Sequence, residues 1–211
     1  MTITQALLGF AVLAALLTIV PGLDTALVLR TSLIRSRAEG LAVTAGIQLG
    51  TLIWGAAAAL GASALLAVSE SAYRIVSLLG AGYLVWLGVS LLVRSFRPSK
   101  ATSTEVMPRR RGLLSAAGTG LLTNLLNPKV GVFYLATIPQ FVPVGVNPLP
   151  MGLLLATVHC LFGTVWLSAI VFGGAALGRR LRNSAVLRWV DRVTGGVLVA
   201  MGVRLAFEAR A

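Results

Sequence analysis

Two charged side chains stand where charges are rare. Asp24 occurs in Val20-Pro21-Gly22-Leu23-Asp24-Thr25 and Lys129 in Asn124-Leu125-Leu126-Asn127-Pro128-Lys129, each beside a proline in the interior of a long apolar run. Proline removes a backbone donor and collides with the preceding turn, which costs a helix ~3 kcal/mol or more unless the freed groups find partners. A charge at the middle of a bilayer adds ~2.5–3.5 kcal/mol on insertion scales and normally faces a polar cavity or another charge. Unwound backbone, Asn124, Asn127 and Thr25 supply such polarity here. The carboxylate and the ammonium could pair with each other, or could separately hold the ammonium and carboxylate of a zwitterionic substrate. The competing reading is a pair of surface kinks, with Asp24 and Lys129 reaching out to lipid head groups.

The elements that must position these residues are apolar helices. The chain has 211 residues, of which 57% are hydrophobic and 11% charged, and its mean hydropathy is +0.90. A soluble domain is roughly half apolar and a quarter charged, so the soluble classes are excluded. A helix needs ~20 apolar residues to cross a hydrocarbon core of ~30 Å. Six runs qualify: residues 3–29, 41–68, 75–93, 113–138, 149–178 and 189–207. None alternates as barrel strands do. The first has no basic n-region and no small-residue cleavage site, so it is expected to be a retained span rather than a cleaved signal. The fold class is therefore an all-α membrane protein of six transmembrane helices, with helices 1 and 4 broken at Pro21-Gly22 and at Pro128.

The net charge of +12 is distributed unevenly. Loops after the first, third and fifth spans carry fourteen Lys and Arg residues, among them Arg30, Arg35, Arg37, Arg109, Arg110, Arg111 and Arg192, against three on the other side. By the positive-inside rule the odd loops are cytoplasmic and both termini lie outside. A basic excess split among juxtamembrane loops is a topology signal, which removes the motive for a nucleic-acid partner. Arg109-Arg110-Arg111 could also hold anionic lipid head groups.

Residues 95–112, with Pro98, Pro108 and a Ser/Thr-rich centre, form the one linker-like segment. It divides a single transporter domain, residues 1–211, into repeat 1 (1–94) and repeat 2 (113–211). Gly82, Leu84, Val85, Gly88, Val89 and Leu91 lie over Gly196, Leu198, Val199, Gly202, Val203 and Leu205, with Arg74 over Arg188. Likewise Gly50-Thr51 lies over Gly163-Thr164 and Pro21 over Pro128. An odd number of spans per copy makes this an inverted repeat.

Other polar residues admit two readings each. His159 could relay protons near neutrality, or simply hydrogen-bond across a helix interface. Gln48 could line a cavity or tie helices together. Gln140, just after the fourth span, is a candidate gate. Cys160 is the single cysteine, so no internal disulfide or CxxC relay exists. One His and one Cys give no metal-ligand cluster, and no GxxxxGK[ST] loop is present for ATP. No cofactor and no catalytic residue is expected.

Thr18-Ile19-Val20-Pro21-Gly22-Leu23-Asp24, then Gly46 and Gly50, then Gly80-Ala81-Gly82-Tyr83-Leu84-Val85-Trp86-Leu87-Gly88, then Gly120-Leu121-Leu122-Thr123-Asn124-Leu125-Leu126-Asn127-Pro128-Lys129 and Ile138-Pro139-Gln140-Phe141-Val142 together resemble the lysine exporter and homoserine/threonine resistance (LysE/RhtB) family. The likeness covers nearly the whole chain, and the stretch from Asn127-Pro128-Lys129 to Pro139-Gln140-Phe141 is its most specific part. It implies an exporter of amino acids or close derivatives in the bacterial cytoplasmic membrane, driven by the proton motive force. Leu23 departs from the pattern, since the family usually repeats a proline there. The expectation is a secondary transporter whose site comprises Asp24, Lys129, Asn127, Asn124, Thr25 and Gln48, hinged at Pro21, Gly22 and Pro128. The alternatives are an intramembrane enzyme, or a transporter of another small ion or metabolite on the same fold. Expected partners are a small-molecule substrate, protons and membrane lipids, with a homodimer allowed.

Overall fold

The computed structural model describes residues 1–68, 70–96, 112–181 and 184–208. Among these the chain is helical throughout, with eight α-helices, a single 3-10 turn and no strand. Residues 97–111 of the expected linker lie outside the described residues.

Local sequence explains where the helices start and stop. Helix α1 (Ile3–Ile19) opens on a capping box: Thr2 Oγ1 accepts from the Gln5 backbone N–H at 3.2 Å and Gln5 Oε1 accepts from the Thr2 N–H at 2.9 Å. This arrangement satisfies two donors that a helix start leaves without partners. Helix α1 ends because a residue before proline avoids the helical region, and Val20 is extended with φ −66° and ψ 114°. Gly22, also extended, caps α2 (Leu23–Ile34), and the two helices meet at 51°. The expected break in the first span is therefore present, and its second half runs five residues beyond the apolar run, to Ile34.

The same logic acts in the fourth run with one difference. Helix α5 (Leu113–Leu125) stops before the proline, and Pro128 is the first residue of a new helix, α6 (Pro128–Thr137). At that position the missing N–H would have had no partner in the helix anyway, and proline's fixed φ suits helix entry. Pro128 thus starts a helix rather than kinking one. A 3-10 turn (Ile138–Phe141) and Gly145, at φ 82°, then redirect the chain into α7 (Pro148–Leu181). Helices α3 (Arg37–Val68), α4 (Glu70–Ser95) and α8 (Ser184–Glu208) are uninterrupted runs.

By length and apolarity, Arg37–Gly61 and Pro148–Gly173 can each cross a bilayer, and the bent pair Ile3–Ile19 with Leu23–Ile34 makes a third if it counts as one span. Leu78–Val93 and Leu113–Leu125 are shorter apolar helices. The outer surface carries apolar side chains that a soluble monomer would hide, such as Leu8, Val12, Trp86, Leu161 and Val165.

Packing brings distant segments together in pairs. Helices α3 and α7 run antiparallel: Arg37 at the start of α3 lies over the Phe172 ring late in α7, at 5.9 Å, and the Cys160 thiol donates to the Gln48 carbonyl at 3.5 Å. Helices α4 and α8 are antiparallel too, with Arg192 Nε donating to Ser95 Oγ at 3.3 Å. Seven residues earlier on α4, a Cβ added to Gly88 would lie 2.6 Å from the Gly195 carbonyl, and one added to Gly202 would lie 2.7 Å from that of Ala81. Only glycine permits this approach. Inside, Phe10, Phe133 and Tyr134 form an aromatic cluster with ring centroids 5.9–6.3 Å apart. All three are fully buried, which anchors α1 against α6.

Candidate functional site

The two breaks meet at one cavity of about 60 Å³, between α1, α2, α3, α5, α6 and α7. Its walls include Asp24, Thr25, Gln48, Asn124, Asn127 and Lys129, so six of the polar residues singled out in the sequence share one space. Gly22 reaches the cavity as well, and His159 closes it from α7.

Proline chemistry explains the contacts of Lys129. In an unbroken helix the N–H of residue 21 would donate to the carbonyl of Leu17, four residues back. Pro21 has no N–H. The Lys129 ammonium takes its place, donating to the Leu17 carbonyl at 3.1 Å and to the Val20 carbonyl at 3.1 Å. The C-terminal end of a helix carries about half a negative charge, so an ammonium is favoured there. Lys129 lies in the first turn of its own helix, where a cation is disfavoured. Its place at the end of α1 offsets that mismatch.

Asp24 sits in the first turn of α2, at the positive end of a helix dipole, where a carboxylate is favoured. Its Oδ2 accepts from Asn124 Nδ2 at 2.9 Å. Asp24 and Lys129 thus line one cavity, close enough to interact electrostatically, with their hydrogen bonds at Asn124 and at the Leu17 and Val20 carbonyls. Asn124 is buried, and Gly50 makes room for it, because a Cβ on residue 50 would lie 2.6 Å from Asn124 Oδ1. Asn127 is also buried and caps α6, its Oδ1 accepting from the Lys129 N–H at 3.1 Å.

Several polar atoms around this cavity have no protein partner: Asp24 Oδ1, Asn124 Oδ1, Gln48 Nε2 and Trp166 Nε1. Buried polar atoms are nearly always paired with protein or water. Two acceptors and two donors left over on four helices around one cavity suit a ligand that both donates and accepts.

His159 makes the hydrogen bond between helices that one reading expected, with Nδ1 2.9 Å from the Tyr134 hydroxyl, and its ring also lines the cavity. Gln140 stays away from it: its amide donates within its own turn, to the Ala136 carbonyl. Three contributors were not foreseen. Trp54 Nε1 donates to the Asn124 carbonyl at 3.4 Å, Trp166 forms part of the wall, and Tyr134 holds His159. The available signal was that an indole or phenol inside an apolar run must find a partner for its polar tip. Thr51, three residues from Gln48 on α3, also lines the cavity and was legible from helical spacing.

Comparison with known proteins gives the family. The chain is 30% identical over 206 residues to the uncharacterized membrane protein YrhP of Bacillus subtilis (strain 168), covering 95% of this chain and 98% of that one. It is 30% identical to a leucine efflux protein of Enterobacter sp. (strain 638), covering 93% of both. With a threonine efflux protein of Escherichia coli (strain K12) the identity is 25%, over 88% of this chain and 89% of that one. No solved structure matches. The family described as LysE type translocator matches residues 15–209, so this helical membrane protein is a translocator and not an enzyme. The chain belongs to the LysE type translocator family.

Proposed function

We propose that the protein is a secondary active transporter that exports amino acids or close derivatives across the bacterial cytoplasmic membrane, coupled to the proton motive force. The observation that carries this reading is the meeting of both interrupted helices, each with one charge, at a single polar cavity. A zwitterion suits it. Its ammonium would be held by Asp24, with the spare acceptor oxygens of Asp24 and Asn124 at hand. Its carboxylate would draw Lys129 away from the Leu17 and Val20 carbonyls. The names of the leucine and threonine efflux relatives favour amino acids as the substrate class.

In this reading the whole chain is one transmembrane domain of six spans in two inverted units, 1–94 and 113–211, joined by a cytoplasmic linker. Antiparallel packing of α3 with α7 and of α4 with α8 supports the inversion. The contacts of Arg37 with Phe172 and of Arg192 with Ser95 draw basic segments from the first, third and fifth loops towards one end, in keeping with both termini outside. The cavity is below the ~300 Å³ of ordinary small-molecule pockets. An amino acid therefore enters only when the units part, which is alternating access about the breaks at Pro21-Gly22 and Pro128.

Efflux from cells preloaded with labelled amino acids, with and without an uncoupler, tests the reading. Asp24→Asn and Lys129→Gln are each expected to cut efflux at least about tenfold in correctly inserted protein, the loss of one charged contact of ~1.4 kcal/mol or more. Undiminished flux in both variants would remove the site, and flux indifferent to the uncoupler would remove the proton coupling.

A further inference from the structure

The two donors left over around the polar cavity belong to the contact of α3 with α7. Gln48 on α3 and His159, Gly163 and Trp166 on α7 all line the cavity, and residues 159, 163 and 166 follow the three- and four-residue spacing that places side chains on one helix face. Gly163 lets the helices close on each other there. A Cβ added to it would lie 2.7 Å from Gln48 Nε2, so the Gln48 amide rests against the turn of α7 that leads to Trp166. The Cys160 thiol, donating to the Gln48 carbonyl at 3.5 Å, holds the same stretch of α3 on α7. His159 Nδ1 is engaged by the Tyr134 hydroxyl, whereas Gln48 Nε2 and Trp166 Nε1 are buried with no protein partner. The acceptors left over, Asp24 Oδ1 and Asn124 Oδ1, stand on other helices, α2 and α5.

We propose that Gln48 and Trp166 are substrate-binding residues whose N–H groups receive the carboxylate of the exported molecule alongside Lys129, and that the transporter therefore requires a free carboxylate and rejects amides and esters. This rests on the amino-acid export reading above and narrows its substrate class. A carboxylate has two oxygens with about four acceptor sites. The Lys129 ammonium is a single compact charge, drawn from the Leu17 and Val20 carbonyls, and leaves some of those sites empty. In a site closed to water an empty acceptor is costly, and two neutral N–H groups on the facing helices remove that cost. The indole nitrogen only donates, and Nε2 is the donating end of the Gln48 amide. A primary amide on the substrate turns N–H groups of its own towards them, donor against donor. An ester adds an alkyl group to a cavity of about 60 Å³. The substrate ammonium has no use for these donors and goes to Asp24 and Asn124, so the division of acceptors and donors among the four helices also orients the molecule. Both nitrogens are covered in this arrangement, and the substrate reaches them by the same parting of the units that admits it.

The experiment reconstitutes the full chain in lipid vesicles and measures efflux, above that of protein-free vesicles, of labelled leucine, threonine, alanine and lysine, and then of the primary amide of whichever leaves fastest. The free acid is expected to leave at least about tenfold faster than its amide, since hydrogen bonds to a charged group are the stronger ones. Trp166→Phe keeps the ring and removes the N–H, and Gln48→Leu removes the amide. Each is expected to raise the KM for the acid about tenfold and to change export of the amide by less than about twofold. Should Gln48→Leu fail to insert, Gly163→Ala displaces the flexible end of Gln48 at the cost of one methyl group and is expected to act in the same direction. The assignment is overturned if acid and amide leave the unaltered protein equally fast. It is also overturned if Trp166→Phe leaves the acid-to-amide ratio unchanged or lowers both alike, which would make the two donors water-bound or structural. Export of no amino acid at all by the unaltered protein is a different result, and it removes the export reading itself.

Discussion

The two helix breaks begin from the same chemistry and end differently. Each proline leaves the carbonyl four residues earlier without its helical donor: Leu17 for Pro21 and Asn124 for Pro128. The second break repairs itself largely from its own neighbourhood. Asn127 N–H donates to the Asn124 carbonyl at 3.1 Å, Trp54 adds a longer bond at 3.4 Å, and the Asn127 side chain caps the next helix. The first break has no such device, since Gly22 gives α2 no side-chain cap, and its open carbonyls are filled by Lys129 from the second. One break is thus a rigid, capped entry, and the other is held closed by a charge borrowed across the cavity. In the transport reading proposed above, a charge so placed is one that a substrate can reclaim, which a backbone cap is not.

The largest effect that would test this asymmetry comes from Lys129→Met. It orphans the Leu17 and Val20 carbonyls, and each buried acceptor left without a donor costs roughly 1–3 kcal/mol. Thermal unfolding of the solubilised protein should show a loss several times that of Trp54→Phe, for which about 0.5–1.5 kcal/mol is expected because Asn127 N–H still serves the same carbonyl. Equal losses would mean that the two breaks are supported alike. Asn127→Ala removes the cap of α6 at about 1 kcal/mol, and Asn127→Ser should recover part of it, since a serine also caps a helix start and adds no charge beside Asp24. The smallest effect is expected of Leu23→Pro. Leu23 is the first residue of α2, and Gly22 is already extended at φ −138° and ψ −162°, as a residue before proline prefers. Stability should change by less than about 0.5 kcal/mol. A large loss would show that the first break depends on Leu23 in a way its backbone does not reveal.

How far these features could be read without coordinates depended on whether they were local. Proline, glycine and apolar length act within a few residues, so the helical class and both break positions were visible from 20–24 and 124–129. Even there the detail differed, because whether Pro128 bends a helix or starts one turns on the Asn127 cap, a matter of one residue's backbone angles. Gln140 stood out by its polarity at the end of a run, but that its amide donates to the Ala136 carbonyl in α6 is set by the fold of the turn that follows. Trp54 and Trp166 were hidden by being apolar in composition, although each carries a polar N–H that matters only once its neighbours are known.

The sequence by itself determined that the chain is helical, apolar enough for a membrane, interrupted at two prolines, and charged at Asp24 and Lys129 beside them. Only the tertiary structure decided that Lys129 takes the place of the N–H missing from Pro21, that Asp24 turns to Asn124, and that both breaks line one polar cavity. The reason is physical: hydrogen bonds within a helix span four residues and follow from local order, whereas Lys129 and Leu17 are 112 residues apart and meet only through packing.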